Sequence, residues 1–250
     1  MTQERVEEIR ERSNKGNRVC STVLAAMYER GVGVPQDIPK AKALYQSAAD
    51  GDGRVYYQLG RMAEDGVGES PDYVKARQYY RRAANAPEDV SGKAGLAKLM
   101  EDGKGGPQDL EGALALYLSA MESIDDDSWK GVERLRAEGL TLTIPQKNRY
   151  NQVWAHTVSN RINRKNMSAG LALLKTFKPR SVSKPVKVQF EYTLGSLVPQ
   201  LSVFESSGDN AFDKAAVEAL SDFRFPQVQP MMPEGQKSLQ FIGSVKLRGF

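Results

Sequence analysis

The chain has one cysteine and one histidine in 250 residues. A single cysteine excludes an intrachain disulfide framework and any cysteine-rich zinc module, and it leaves the redox compartment open. A single histidine excludes His-rich metal sites. His156 has no second His and no Cys near it in the sequence, so it reads as a surface or partly packed residue. No apolar run of roughly 18 residues occurs, so nothing reads as a membrane-spanning helix. The opening Met1-Thr2-Gln3-Glu4-Arg5-Val6-Glu7-Glu8 is polar and lacks the apolar stretch of a secretory leader. Two expectations follow from that start: a cytoplasmic protein, or a mature chain whose leader has been removed.

Catalytic and ligand motifs are missing as well. Gly103-Lys104-Gly105-Gly106 lacks the Gly-Lys-Ser/Thr ending of a phosphate loop. Asp125-Asp126-Asp127 lacks the Gly and the distal Glu of a calcium loop and reads instead as the acidic start of a helix. Cys20 reads as a small core residue of a helix. With no converging nucleophile, base and orienting group, the expectation is a protein that is not an enzyme and uses no metal or cofactor.

What is present is charge, unevenly placed. The formal net charge is +4, but residues 1–144 hold 20 Lys+Arg against 24 Asp+Glu, while residues 145–250 hold 15 against 7. Ten basic residues and no acidic one lie from Lys147 to Lys187, Arg180 among them. Such asymmetry between halves predicts two domains with different partners.

The first half repeats. Leu24, Leu59 and Leu96 are 35 and 37 residues apart, and the same two spacings separate Gly31, Gly66 and Gly103, then Ala41, Ala76 and Ala113, then Tyr45, Tyr80 and Tyr117. Each unit predicts a helix A, a Gly-rich turn and a helix B. In the first unit Val23, Leu24, Met27 and Tyr28 give helix A an apolar face. Gly31-Val32-Gly33-Val34-Pro35 ends it, and Asp37 caps a helix B whose face is Ala41, Leu44, Tyr45 and Ala48. The alanines permit close approach and the tyrosines fill the wedge between helices. A fourth helix A is expected over Val132 to Gly139, and Glu4 to Gly16 as a leading half-unit. Such units bury their faces only by stacking, as a superhelical array with a concave surface.

Gly31-Val32-Gly33-Val34, Asp37, Lys40-Ala41, Leu44-Tyr45 and Ala48-Ala49, then Leu59-Gly60, Gly66-Val67-Gly68, Asp72, Lys75-Ala76, Tyr79-Tyr80 and Ala83-Ala84, resemble the Sel1-like repeat, a relative of the tetratricopeptide repeat. The third unit keeps Gly103, Gly105, Asp109, Ala113 and Leu116-Tyr117 but has Gly112 where the pattern has Lys. The resemblance implies a protein-interaction scaffold.

From Gln146 to Lys165, Tyr150, Val153, Trp154, Thr157, Val158 and Ile162 predict an amphipathic helix. Its basic face is assigned to Arg149, Arg161, Arg164 and Lys165. That face contacts an acidic surface such as anionic lipid, or meets the acidic repeats or solvent. Nucleic acid is not expected, because the aromatics lie on the apolar face rather than among the basic residues.

Beyond it, Val186, Val188, Phe190 and Tyr192 alternate with polar residues and predict a strand. Gly195-Ser196 predicts a two-residue hairpin turn. A second strand is expected from Leu197 to Phe204, with Pro199 hinting at an exposed edge. Asp209 or Ser207 caps a helix that buries Phe212, Ala216, Ala219, Leu220 and Phe223. Phe225-Pro226 to Pro233 reads as a loop, and Leu239, Phe241, Val245 and Leu247 as a last strand. The expected architecture is therefore multidomain: an all-α helical-repeat superhelix (1–144) followed by a small α+β domain (145–250) ordered helix, strand, strand, helix, strand.

Val188, Phe190, Gly195, Val203, Ser206-Ser207-Gly208, Phe212-Asp213, Ala215-Ala216, Ala219 and Phe225-Pro226 resemble the C-terminal domain of TonB, over residues 148–248. The resemblance implies capture of a protein or peptide by strand addition. The edge is then the last strand, Ser238 to Leu247, with Gln240, Ile242 and Ser244, beside a loop carrying Gln227, Val228, Gln229 and Met231. It further implies the periplasm rather than the cytoplasm. The alternative is that the last strand is a protected edge or pairs with its copy in a homodimer. TonB's membrane anchor and Pro-rich spacer have no counterpart here; helical repeats stand in their place. The expected function is a cell-envelope adaptor holding one protein on the repeats and another on the sheet edge. The alternatives are an energy transducer for outer-membrane transport, anchored by another chain, and an envelope protein gripping cell wall or anionic lipid.

Overall fold

The computed structural model describes every residue except 1, 50, 51, 87, 88, 125, 179–181, 183 and 248–250. Arg180 of the basic segment and Asp125 of the acidic triplet lie outside the described residues. The chain divides into two compact units, Met1–Thr141 and Leu142–Phe250.

The first unit is helical: α1 (Gln3–Asn14), α2 (Arg18–Arg30), α3 (Ile38–Ala48), α4 (Gly53–Asp65), α5 (Tyr73–Ala84), α6 (Val90–Glu101), α7 (Leu110–Ala120) and α8 (Asp127–Ala137). Helices α2, α4, α6 and α8 are the A helices, and α3, α5 and α7 the B helices. The turn between them repeats atom for atom in its logic. Gly31, Gly66 and Gly103 have φ of 68°, 67° and 65°, the left-handed conformation that an L side chain resists. Asp37, Asp72 and Asp109 then each do two jobs. Their side chains accept from the N–H of Lys40, Lys75 and Gly112 at 2.9, 2.9 and 2.8 Å, satisfying an orphan donor of the B helix. Their own N–H groups donate back to Tyr28, Ala63 and Met100 carbonyls of the preceding A helix at 2.9, 2.8 and 3.0 Å.

Packing follows the small-residue stripe. Ala41, Ala76 and Ala113 are fully buried, and Tyr45, Tyr80 and Tyr117 fill the wedges beside them. Val6 of the leading helix packs with Leu24, Met27, Tyr28, Val34 and Ala41, closing one end. Two expectations need correction. Val23 is 40% exposed, because it precedes the buried Leu24-Met27-Tyr28 face by one residue and so points about 100° away from Leu24. Cys20 is half-exposed rather than core, since it lies on the first turn of α2, where its N–H donates to the Asn17 cap. The fourth A helix begins earlier than its apolar residues suggested, because Asp126 caps it by accepting from Trp129 N–H at 2.7 Å.

The second unit runs α9 (Ile144–Leu173), β1 (Val186–Thr193), β2 (Gln200–Glu205), α10 (Asn210–Ala219) and β3 (Ser238–Val245). The sheet is antiparallel with order β2-β1-β3, so β1 is central. Its buried residues Val186, Val188, Phe190 and Tyr192 form one face, which α9 and α10 cover. Trp154 of α9 lies at the centre, its ring 5.1 Å from that of Tyr192 and 6.0 Å from that of Phe241.

Helix α9 extends at both ends beyond the expected Gln146–Lys165. It is started by Thr143, whose N–H donates to Gln146 Oε1 at 2.9 Å, and it continues through Ala169 and Gly170, both buried. At Gly170 the helix approaches the chain closely: a Cβ there would sit 2.2 Å from the Lys246 carbonyl oxygen. The two-residue hairpin is not formed. The last β1–β2 pair is Glu191 with Gln200; Ser196 N–H closes a local turn on the Thr193 carbonyl at 2.9 Å, but Leu194 N–H bonds the Lys237 carbonyl at 2.9 Å and the Leu197 carbonyl accepts from Phe225 N–H at 2.8 Å. Asp209, not Ser207, caps α10, accepting from Ala211 and Phe212 N–H groups. Ser207 is buried, and its N–H donates to Asp213.

Candidate functional site

The A helices carry a polar network that the apolar periodicity hides. Glu29, Glu64 and Glu101 stand on the last turns of α2, α4 and α6, and each accepts the phenol of the tyrosine 16 residues later: Tyr45 at 3.0 Å, Tyr80 at 2.6 Å and Tyr117 at 2.6 Å. Burial first, then the adjoining carboxylate, pushes all three phenols well above the usual tyrosine range, so each stays a donor at any physiological pH. In the first and third wedges the next A helix adds an arginine. Arg61 bonds Glu29, and Arg134 grips Glu101 with Nε and Nη2, both at 2.9 Å. Burial opposes the charge on Glu101, but the bonds from Arg134 and Tyr117 outweigh it and hold that carboxyl below its usual range.

Beside this network is a cavity of about 450 Å³. Tyr57 and Glu64 of α4, Ser91, Ala94, Gly95 and Lys98 of α6, and Arg134 of α8 line it, with the ends of Tyr80 and Tyr117. Three successive A helices thus contribute to one opening, of a size suited to a side chain or short segment. Sequence reasoning found the tyrosines as packing and missed the glutamates, although these keep the same 35- and 37-residue spacings. A charged residue sharing the core period was the available signal.

In the second unit, the residues assigned to partner capture fall into two sets. Gln240, Ile242 and Ser244 are exposed on the face of β3 away from the helices, Ile242 by 51%. Among the described residues no strand pairs with the other side of β3, and β2 is equally an edge. The loop residues differ among themselves. Gln227 and Gln229 are exposed, whereas Val228 and Met231 are held by α9. Trp154 Nε1 donates to the Val228 carbonyl at 2.7 Å, and the Asn151 amide exchanges two bonds with the Met231 backbone, both 2.7 Å. Their polar backbone is used internally, so the loop is a fixed rim and not an open template.

The four residues of the assigned basic face differ in their surroundings. Arg149, Arg161, Arg164 and Lys165 spread over about 160° of the helix circumference. Arg164 is exposed, Arg149 and Arg161 are half-buried, and Lys165 pairs with Asp222 at 2.5 Å. Among the described residues no group of three or more His, Cys, Asp or Glu side chains is arranged to hold a metal ion, and no helix is long and apolar enough to cross a membrane.

Residues 22–52, 54–87 and 91–123 match the Sel1 repeat family model, all within the first unit. That unit is a helical-repeat array, and the three matched stretches in it are similar to the Sel1 repeat. Among solved structures, the chain is similar to a Sel1 repeat protein from Oxalobacter formigenes, with 23% identity over 57% of this chain and 60% of that one and a TM-score of 0.49. It is also similar to c5321, a protective antigen of uropathogenic Escherichia coli displaying an SLR fold, with 23% identity over 67% of this chain and 36% of that one and a TM-score of 0.52. The chain therefore spans less than two thirds of the length of either, and the likeness to the antigen is one of fold alone. No curated protein matches.

Proposed function

We propose that the chain is a non-catalytic adaptor that holds one protein on its Sel1 repeats and a second on the edge of its sheet. The observation that carries the first half is the cavity shared by α4, α6 and α8, an opening that only stacked repeats create. The second half rests on the resemblance of residues 148–248 to the TonB C-terminal domain. It is supported by the order helix, strand, strand, helix, strand and by a β3 edge with no paired neighbour among the described residues. Strand addition there uses main-chain hydrogen bonds for affinity and leaves Gln240, Ile242 and Ser244 to read the partner. The same resemblance supports the periplasm as the location, which cell fractionation tests: recovery in the cytosol alone overturns it.

The experiment is affinity capture with the full chain and two surface variants. Ala94→Trp fills the repeat cavity, and Gln240→Lys with Ile242→Lys charges the β3 edge, the device by which natural edges refuse partners. Each variant is expected to lose a different protein from the set bound by the wild type. A bound set unchanged by both variants refutes the adaptor reading.

A further inference from the structure

The middle wedge of the array breaks the pattern of its neighbours. The residue two places after the core Leu59, Leu96 or Val132 is Arg61, Lys98 or Arg134. Arg61 and Arg134 cross to the glutamate of the preceding A helix. Lys98 does not: its ammonium turns along its own helix to Asp102 at 2.6 Å and Glu101 at 3.8 Å. The chemistry of the side chains accounts for this. A guanidinium is a fork that can bond two acceptors at once, and Arg61 does so with Glu29 and Asp65, whereas an ammonium is a compact charge satisfied by its nearest carboxylate.

Glu64 is therefore left with the Tyr80 phenol at 2.6 Å and, among the described residues, no cation within ion-pair distance. It lines the cavity of about 450 Å³. The other charges around that opening are already matched: Lys98 by Asp102, Arg134 by Glu101, and Asp127 by Lys130 at 2.9 Å. The walls are aromatic, with the Tyr57 and Tyr80 rings 5.8 Å apart. Gly95 keeps the space beside Tyr80 clear, since a Cβ there would lie 2.9 Å from the ring.

We propose that this cavity receives an arginine side chain of the protein bound on the repeats, its guanidinium pairing with Glu64 in the place that Arg61 and Arg134 take in the flanking wedges. A planar cation suits both the carboxylate and the tyrosine faces. The inference rests on the adaptor reading of the repeats and names the chemistry that reading lacks.

The test titrates acetyl-Ala-Arg-Ala-amide, its lysine analogue and its citrulline analogue onto the full chain, followed by backbone and side-chain NMR shifts. Saturable shifts are expected at Glu64, Tyr80, Ser91 and Gly95. Citrulline, which keeps the shape and loses the charge, and the Glu64→Gln variant are each expected to weaken binding at least about tenfold, or 1.4 kcal/mol. Lysine is expected to fall between. Equal titrations of wild type and Glu64→Gln, equal binding of arginine and citrulline, or no saturable shift overturns the proposal. A captured protein that is lost by Ala94→Trp but kept by Glu64→Gln overturns it too, while leaving the adaptor reading standing. Melting of Glu64→Gln within about 2 °C of wild type, roughly half a kcal/mol for a unit of this size, confirms that the comparison is between folded proteins.

Discussion

Removing Glu101 should destabilise the repeat array more than removing Glu64, although the two occupy the same place in consecutive repeats. The Glu101 side chain is 8% exposed while Arg134 is 44% exposed, so their losses differ in kind. In Glu101→Ala the Tyr117 phenol, buried in its wedge, is left without its acceptor, at about 1–3 kcal/mol. Arg134 can turn to water, so the lost ion pair adds only about 0–1 kcal/mol after solvent screening. The sum is about 1–4 kcal/mol, a fall of roughly 3–12 °C for a unit of this size. Glu64→Ala loses a single bond to Tyr80, a phenol as buried as Tyr117 and lining the same cavity, at about 1–3 kcal/mol, so the Arg134 pair is what separates the two variants.

Hydrogen exchange resolved by peptide is the assay of choice, because two compact units need not unfold in one step. Amides of α6 to α8 should lose protection in Glu101→Ala while those of α2 and α3 keep it, as nearest-neighbour coupling in a repeat array requires. The pH dependence supplies an independent check. The Glu101 carboxyl is lowered in the fold, so its contribution is fully present above the unfolded carboxylate value of about 4.3. It is lost as pH falls through the lower folded value. The difference between wild type and Glu101→Gln should therefore close in acid. A Glu101→Ala loss no greater than that of Glu64→Ala, or a gap that persists undiminished in acid, would refute the reasoning.

Three further outcomes follow from the packing. Gly131→Ala should destabilise despite the roughly 1 kcal/mol that alanine gains over glycine in a helix, because its Cβ would lie 2.6 Å from the Tyr117 ring; a higher melting temperature would show that the wedge can yield. Trp154→Phe removes the donor to the Val228 carbonyl and should cost the second unit about 1–3 kcal/mol. Its companion Asn151→Ala should speed exchange of the Met231 amide specifically, and unaltered exchange at Met231 would contradict the pinned-rim geometry. Glu205 lies 2.8 Å from Lys187 and 2.9 Å from Lys184, which draw its carboxyl down to about 2. Carbon-detected titration should find it there at low salt and nearer the usual carboxylate range in Lys187→Met. Any stability it lends is present above the ordinary carboxylate value and fades as pH drops toward 2.

The repeat half was legible because every signal in it is local and recurs. The Gly turns, Asp caps and Ala-Tyr stripe each follow from a few consecutive residues, and three copies in register separate pattern from accident. The sheet half was legible in element order but not in its joints. Gly195-Ser196 has the composition of a tight turn, yet the flanking backbone finds partners in the segments before β3 and after α10, which are remote in sequence.

The site divides in the same way. That a tyrosine recurs every 35 or 37 residues is written in the chain, as is the glutamate 16 residues before it. Whether a lysine two places past the core leucine crosses to that glutamate or turns back to its own helix is a contest between two acceptors, settled by distances that exist only after the helices stack. So, too, is the anchoring of the loop in the second unit: the Val228 carbonyl is held by Trp154, a residue remote in sequence. Local preference alone determined where the helices of the repeats begin and end and which face they bury. Tertiary packing decided which polar groups are satisfied within the protein and which, like Glu64, are left to meet something else.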